Sequence, residues 1–297
     1  MTGAVLIDKP EGFTSFDVIA VMRRVLGTRK LGHTGTLDPM ATGVLPILAG
    51  RATRLAPLLP ESDKAYRATM RLGLTTDTLD ITGKVLTESK GLATAAELEG
   101  CLGQFRGDIL QVPPMYSAKK IDGKRLYDLA REGKEIERAA VPVTVKKLEL
   151  SVIDEASGEY ALEVLCSKGT YIRSIIDDLG RAVGCGAVMT GLRRTLANGI
   201  SVDDCIPLDM AREMSPEELT IPIDGLLAPY GEVRVTGPQA NRFLHGGELE
   251  IRRLPSALPD SRFVRVLSPD GELLGLSEAR DGSLWIKCLL TENTDAR

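Results

Sequence analysis

The sequence predicts an α+β protein built on a mixed, mostly antiparallel sheet flanked by helices, with a small all-β domain at the C-terminus. The length of 297 residues suits one large domain and a small one. Strand-like and helix-like segments alternate without the regular strand-helix-strand order of a parallel sheet. Beyond residue 230, short strand-like runs follow one another, separated by Gly, Pro, Asp and Ser.

The N-terminal half opens with a short buried strand, GAVLID at 3–8. Ser15 is the expected N-cap of a helix from Phe16 to Leu26, which Gly27 ends. The further elements predicted here are a strand at 44–50, a short helix at 51–59, a strand at 65–73, and a helix that Thr94 opens and that runs to Phe105.

The C-terminal half contains residues 113–133, expected to begin extended and become helical near Arg125. The Pro-rich stretch from Pro216 to Pro229 shows little periodicity, and we expect a linker there. The predicted domains are therefore 1–228 and 231–297. The other elements predicted in this half are strands at 142–153 and 159–167 and an amphipathic helix at 174–184, ended by Gly184.

The charge is unevenly distributed. A formal net charge of -4, taken alone, argues against a nucleic-acid partner. Between Val18 and Pro60, however, Asp38 is the only acidic residue in the sequence. This pattern favours a basic groove on an acidic protein. The basic residues of that stretch are Arg23, Arg24, Arg29, Lys30, Arg51 and Arg54.

Cysteine spacing and hydropathy limit the classes to which the protein can belong. None of the five cysteines is arranged as C-x-x-C, so we expect neither a zinc site nor a disulfide framework. The N-terminus does not resemble a signal peptide, and no apolar run approaches the ~20 residues that span a bilayer. These features predict a cytoplasmic protein without membrane association.

Asp38 lies in the loop GHTGTLDPMATGVL, residues 32–45. An aspartate before a proline is typical of a turn, but a positioned carboxylate can also act as a nucleophile or base. The basic neighbours along the chain predict that it is ionised. His33 in the same loop is either structural or in contact with RNA. Asp77 and Asp80 are either turn residues or a second carboxylate for Asp38.

Three further residues are candidates for the site. Tyr66 in KAYRA is interpreted, from the residues alone, as an aromatic residue on a strand that packs in the core. Tyr171 and Arg173 in CSKGTYIRS lie at the entry to a predicted helix. Taken alone, Arg173 is interpreted as an ordinary surface cation of that helix.

Taken together, several long segments resemble the TruB family of tRNA pseudouridine synthases. They occur in the family's order and run through most of the chain, which makes chance similarity remote. The C-terminal segments FVRVLSPDGELLGLSEA and LWIKCLL are more weakly similar to the family's PUA-like RNA-binding domain. The main matching segments are GAVLIDKPEGFTSFDV, LGHTGTLDPMATGVLPILAGRATR, KAYRATMRLGLTTDTLDITG, VPPMYSAKKIDGKRLYDLAREG and CSKGTYIRSIIDDLGRAVGCGAVMTGLRRT.

The resemblance implies the pseudouridine synthase fold and isomerisation of uridine at position 55 in the T-loop of tRNA, with no metal or organic cofactor. It implies that Asp38 is the catalytic aspartate, that Tyr66 stacks on the uracil and serves in proton removal, and that Arg173 pairs with the aspartate. It also implies that Tyr171 and Leu192 line the base pocket and that His33 lies near the flipped nucleotide.

The expected partner is tRNA, contacted at its T-loop and acceptor arm by a monomer that needs no protein partner. The PUA-like domain at 231–297 would contribute to RNA binding. Cations expected to follow the phosphate backbone, with salt-dependent affinity, are Arg23, Arg24, Arg29, Lys30, Lys119, Lys120 and Arg193.

Three other functions stay open at this point. A module that only binds RNA would not need Asp38, Tyr66 and Arg173 together. A guide-RNA-dependent relative would tend to be larger and to carry basic extensions, whereas the C-terminal LLTENTDAR is short and not basic. An N-glycosidase using Asp38 with Asp77 or Asp80 would release free uracil.

Overall fold

The computed structural model describes residues 2–117, 119–121 and 123–291, apart from the side chains of Lys120 and Arg125. Within these residues the chain forms a ten-stranded sheet, a five-stranded sheet and two short hairpins. The strands, in chain order, are β1 Gly3–Lys9, β2 Leu31–His33, β3 Thr42–Ala49, β4 Lys64–Leu72, β5 Leu74–Thr76, β6 Val85–Glu88, β7 Gly107–Gln111, β8 Lys120–Ile121, β9 Lys124–Arg125, β10 Val141–Asp154, β11 Glu159–Cys166, β12 Ala187–Ala197, β13 Ile200–Ser201, β14 Ile206–Pro207, β15 Gly231–Arg234, β16 Leu249–Glu250, β17 Phe263–Leu267, β18 Leu273–Arg280 and β19 Ser283–Leu289.

The α-helices up to Ala211 occur within or directly after the part of the chain that forms the ten-stranded sheet, whereas Gly237–Leu244 packs on the five-stranded sheet. Residues 50–58 form a 3-10 helix where a short helix was expected. Thr94 caps its helix as predicted, with Glu97 completing a capping box. The α-helices are α1 Ser15–Val25, α2 Ala95–Leu102, α3 Leu126–Arg131, α4 Ile172–Ala182, α5 Leu208–Ala211, α6 Pro216–Leu219, α7 Asp224–Leu227 and α8 Gly237–Leu244.

The expected cap of α1 was wrong by one residue. Thr14, not Ser15, is the N-cap, because its side chain and that of Asp17 form a reciprocal capping box. The Ser15 hydroxyl is instead engaged with the backbone of Leu37: it accepts from the amide at 2.9 Å and donates to the carbonyl at 3.2 Å. This hydroxyl therefore ties α1 to the loop that carries Asp38.

The large sheet has the strand order β14-β1-β3-β12-β4-β11-β10-β7. Its pairings are antiparallel except for β1 with β14 and β12 with β3, so the predicted mixed, mostly antiparallel sheet is confirmed. Strand β12 was not predicted, although it lies in the middle of this order. Register shifts after Met189 and Arg194 interrupt its alternation, which removes the period-two signal.

The main core lies between this sheet and helices α2 and α4. Met70 on β4 and Leu162 on β11 pack there with Ile175 and Leu179 of α4, and all four are fully buried. Burial of such side chains contributes about 1.5–3 kcal/mol each. This packing fixes α4 against the sheet, and so fixes the position of the residues at its N-terminus.

The smaller sheet has the strand order β15-β17-β18-β19-β16, and it begins at Gly231, where the second domain was expected to begin. The expected domain also includes 292–297, which lie outside the described residues. Helix α8 was missed by the expectation of an all-β region. Thr236 and Gln239 form a capping box at its start, and Phe243 is fully buried.

The expected linker at 216–229 contains the short helices α6 and α7. Leu226 and Leu227 of α7 are buried in an apolar cluster with Leu55 of the first domain and Leu276 of the smaller sheet. This stretch therefore packs as part of a core that both sheets share. Among the described residues, no helix has the length and apolar character that crossing a membrane requires.

Candidate active site

A cavity of about 250 Å³ opens where β4, the start of α4 and the Asp38 loop meet. Five of the six residues predicted for the site line it: Asp38, Tyr66, Tyr171, Arg173 and Leu192. The sixth, His33, lies on β2 and is not among the described residues that line the cavity. Residues far apart in the chain thus meet at one small concave site.

Asp38 and Arg173 form an ion pair at this cavity. Nη2 of Arg173 lies 3.0 Å from Oδ2 of Asp38. The arginine side chain is 6% exposed, whereas the aspartate side chain keeps 35% of its surface open to the cavity. Arg173 is thus a buried anchor, not a surface cation of α4, and it presents the carboxylate to whatever enters the cavity.

Arg173 is itself held by three further acceptors. Its Nη1 donates to the carbonyl of Thr78 at 3.0 Å, and its Nη2 donates to the carbonyl of Tyr116 at 2.7 Å. Its Nη1 also lies 3.5 Å from Oδ2 of the buried Asp80. The guanidinium is therefore held in one orientation by a set of fixed acceptors.

Asp80 as a partner of Arg173 was not foreseen. Its other oxygen, Oδ1, accepts from the Thr82 amide at 3.0 Å and the Thr82 hydroxyl at 2.6 Å. Those bonds are the turn chemistry that the sequence indicated. Asp77 is exposed and accepts from the Lys84 amide at 2.7 Å, so its interpretation as a turn residue is confirmed.

The ionisation of Asp38 is set by burial and by residues distant in sequence. Burial raises the pKa of this carboxyl above its usual value, Arg173 and Lys9 oppose that rise, and Asp80 adds to it. The sequence predicted that the basic residues between 18 and 60 keep Asp38 ionised. That attribution was wrong, because the cations that oppose the effect of burial, Arg173 and Lys9, lie outside this stretch. The charge that opposes the effect of burial most strongly comes from Arg173 on α4.

The Asp38 loop rests on two buried cations. Arg194 is 1% exposed and donates to the carbonyls of Gly35 at 3.1 Å, Thr36 at 3.3 Å and Val44 at 2.7 Å. Lys9 is fully buried and donates to the carbonyl of Pro39 at 3.2 Å. Charge-assisted bonds to backbone on both sides of Asp38 fix the loop.

Tyr66 is 8% exposed and lies on β4, directly opposite Arg194 of β12 in the register. Burial raises the pKa of its phenol, and the adjacent Arg194 guanidinium opposes this. A raised pKa means that the hydroxyl is protonated at neutral pH. Tyr66 can therefore donate a hydrogen bond from the cavity wall while its ring offers a stacking surface.

Tyr171 is the N-cap of α4, and it is fixed through its backbone. The side chain of the buried Gln111 accepts from the Tyr171 amide at 2.7 Å and donates to the Tyr171 carbonyl at 3.0 Å. Leu192 lies on β12 opposite Ala68. These contacts fix the backbone at the rim of the cavity.

Two further titratable groups lie near the site. Lys64 lines the cavity, and burial lowers its pKa to about 8. Burial and the charge of Arg194 lower the pKa of His33, so its imidazole is neutral at pH 7. The described residues contain no group of three or more His, Cys, Asp or Glu side chains that could hold a metal ion.

The cations expected to contact RNA fall into different settings. Arg24, Arg29 and Lys30 are exposed around the end of α1. Arg193 is already paired with Asp8 through two bonds of 3.1 and 2.7 Å. The side chain of Lys120 lies outside the described part of the chain.

Comparisons with known proteins identify the family of this chain. A sequence model described as the TruB family pseudouridylate synthase N-terminal domain matches residues 23–172. A second, described as the tRNA pseudouridylate synthase B C-terminal domain, matches residues 173–230. Together these matches include every residue predicted for the site.

Full-length relatives extend the match. A tRNA pseudouridine synthase B of Ralstonia nicotianae is 42% identical over 95% of this chain and 92% of its own length. The protein of that name from Burkholderia mallei is 41% identical over 96% of this chain and 95% of its own. A chain of an archaeal box H/ACA sRNP complex has the same fold, with a TM-score of 0.74 and 22% identity over 98% of this chain and 87% of that one. The present chain belongs to the TruB family of pseudouridylate synthases.

Proposed function

We propose that this protein converts uridine to pseudouridine at position 55 in the T-loop of tRNA, with Asp38 as the catalytic carboxylate. The observation that carries the proposal is the pair formed by Asp38 and Arg173 at a cavity that Tyr66 also lines. With a volume of about 250 Å³, the cavity suits one nucleobase and its sugar. The target uridine must therefore leave the RNA loop and flip into it.

The reaction is an isomerisation. The N1–C1′ bond breaks, the uracil turns, the C5–C1′ bond forms, the C5 proton leaves and N1 gains a proton. The balance needs no oxidant or reductant, so the reaction as written requires no redox cofactor, and we propose that it also proceeds without a metal. A carboxylate at Asp38 can attack C6 of the base, attack C1′ of the sugar or remove a proton, and Arg173 favours the ionised form in each case.

Extrusion of the uridine has an energetic cost that the site can offset. Flipping a base out of its stack costs a few kcal/mol, and stacking on one aromatic side chain returns about 1–3 kcal/mol. Tyr66 supports this role because its ring is held in the cavity wall on β4. Leu192 and Tyr171 would complete the enclosure of the base.

Binding of the rest of the tRNA would rely on the protein surface. The exposed Arg24, Arg29 and Lys30 are suited to phosphate contacts, with the salt dependence that such contacts impose. We propose that residues 231–297 act as a PUA-like domain on the acceptor arm, and that residues 1–228 carry the catalysis. On this account the monomer acts without a guide RNA or a protein partner.

The test uses the purified protein alone, with EDTA, on an unmodified tRNA transcript. We expect pseudouridine at position 55, and none when that uridine is replaced by cytidine. Release of free uracil would instead indicate an N-glycosidase. Product that forms only after a guide RNA or divalent metal is added would contradict the proposal. In cells that lack the protein, total tRNA should lose pseudouridine at this position.

A further inference from the structure

Ser117, a residue of the cavity wall, has a buried hydroxyl without a hydrogen-bond partner in the described structure. The residue lies between β7 and β8 and is only 4% exposed. Its Oγ is inaccessible to solvent and forms no hydrogen bond within the described structure. The same residue lines the cavity with Asp38 and Arg173. A buried polar group is normally paired, so this arrangement requires a reason.

The backbone amide and carbonyl of Ser117 both form hydrogen bonds. Its amide donates to the Met115 carbonyl at 2.9 Å, and its carbonyl accepts from the Tyr127 amide at 3.1 Å. The carbonyl of the preceding Tyr116 accepts from Arg173 at 2.7 Å. The segment is thus anchored to Arg173, whereas the Ser117 hydroxyl lacks a partner in the described structure.

We propose that Ser117 is a substrate-binding residue whose hydroxyl rotates into the cavity and hydrogen-bonds the flipped uridine, an inference that rests on the proposed function. A serine hydroxyl can donate one hydrogen bond and accept two. Uridine offers carbonyl oxygens, an N3–H and a ribose 2′-hydroxyl. The entering nucleotide would supply the partner that the free protein lacks, so the stability lost in the free state is recovered on binding.

The first experiment compares stability and activity for Ser117→Ala. In the free protein this change removes an unsatisfied buried hydroxyl, so the melting temperature should rise by about 2 °C. With substrate it removes a hydrogen bond, so kcat/KM for pseudouridine formation should fall about tenfold. A purely structural hydroxyl would not move these two quantities in opposite directions.

Ser277→Ala is the matched control. Ser277 lies on β18 in the smaller sheet, is fully buried, and also has an Oγ without a hydrogen-bond partner in the described structure. It is not among the residues that line the cavity. The same substitution there should give a similar rise in melting temperature and leave kcat/KM unchanged.

A second substrate identifies the group that Ser117 contacts. A transcript with 2′-deoxyuridine at the target position lacks the ribose hydroxyl. If Ser117 binds the base, Ser117→Ala should lower kcat/KM about tenfold on both substrates. If it binds the 2′-hydroxyl, the variant should show no further loss on the deoxy substrate. Either result supports the inference.

Wild-type kcat/KM for Ser117→Ala would overturn the inference and leave the proposed function intact. So would a lower melting temperature than wild type, since the hydroxyl would then support the fold. Failure of the unaltered protein to form pseudouridine is a separate result, and it would contradict the proposed function itself.

Discussion

Arg173 holds Asp38 through an ion pair of 3.0 Å, while its other terminal nitrogen lies 3.5 Å from Asp80. One buried cation thus serves two carboxylates, of which only Asp38 is open to the cavity. Asp80 repels Asp38 and raises its pKa, yet it also fixes the orientation of the guanidinium. The pKa of Asp38 depends on this balance.

Replacing Arg173 by Met should destabilise the protein and change its pH dependence. Removing one partner of a buried pair typically costs about 3–5 kcal/mol in the free energy of unfolding. Without the cation, the pKa of Asp38 should rise further, so the acid limb of the turnover profile should move to higher pH. Urea unfolding and single-turnover rates at several pH values measure both effects.

The control for that change is Arg67→Met. Arg67 forms an exposed pair with Glu163 at 3.0 Å, and such pairs contribute about 0–1 kcal/mol. If both variants lose the same stability and retain the wild-type pH profile, Arg173 has no special relation to Asp38.

Tyr66→Phe should separate stacking from hydroxyl chemistry. The ring stays, so RNA binding should be retained, whereas loss of the protonated hydroxyl beside Arg194 should lower turnover at least tenfold. Tyr160→Phe is the control, because Tyr160 is a buried tyrosine of β11 that does not line the cavity in the described structure. Unchanged turnover in Tyr66→Phe would leave this residue with stacking alone.

Lys64 should make stability depend on pH above 8. Burial lowers its pKa to about 8 from the ordinary 10.5, so between these values the folded state binds fewer protons than the unfolded state. The burial cost is therefore fully present below about pH 8 and is relieved as pH rises toward 10.5. Relative to Lys64→Gln, the wild-type free energy of unfolding should increase across this window.

Urea unfolding at pH 7.5, 9 and 10.5 measures that difference, with Lys146→Gln, an exposed lysine paired with Asp63, as the control for loss of a charge. A difference that stays flat or falls for Lys64→Gln would contradict the assignment.

Gly43→Ala should weaken the support of the Asp38 loop. Gly43 has a φ of 103°, and an added Cβ would lie 2.1 Å from the carbonyl oxygen of Arg194. The clash and backbone strain should cost about 2–4 kcal/mol. Gly100→Ala, in an open position of α2, should instead stabilise by about 0.5–1 kcal/mol. Thermal unfolding of both variants checks the sign, and equal effects would contradict the close contact.

Some residues of this site could be predicted from the sequence, and others could not. The Asp38 loop, Tyr66 and the start of α4 could be identified because each lies in a long local motif. Asp80 and Arg194 could not be assigned, because their roles depend on which distant groups they meet. Arg194 is a charged residue inside an unpredicted strand, and it faces the Asp38 loop only because β12 pairs with β3 and β4.

The same distinction applies to the fold. Strands β1, β3, β4, β10 and β11 of the large sheet were predicted to within two residues of their ends, whereas β12 was missed because bulges disrupt its period. Helix α8 was missed although Thr236 and Gln239 form a capping box and Pro238 lies in its first turn. This local capping signal lies in a region whose other segments are typical of strands.

The most direct test of the account is Asp38→Asn, which keeps the shape of the side chain and removes its charge. In single-turnover assays on an unmodified tRNA transcript, we expect no pseudouridine from this variant, while filter binding shows that it still binds the tRNA. Asp77→Asn, at an exposed turn, should behave like wild type in both assays. Wild-type turnover in Asp38→Asn would contradict the central claim that Asp38 is the catalytic carboxylate.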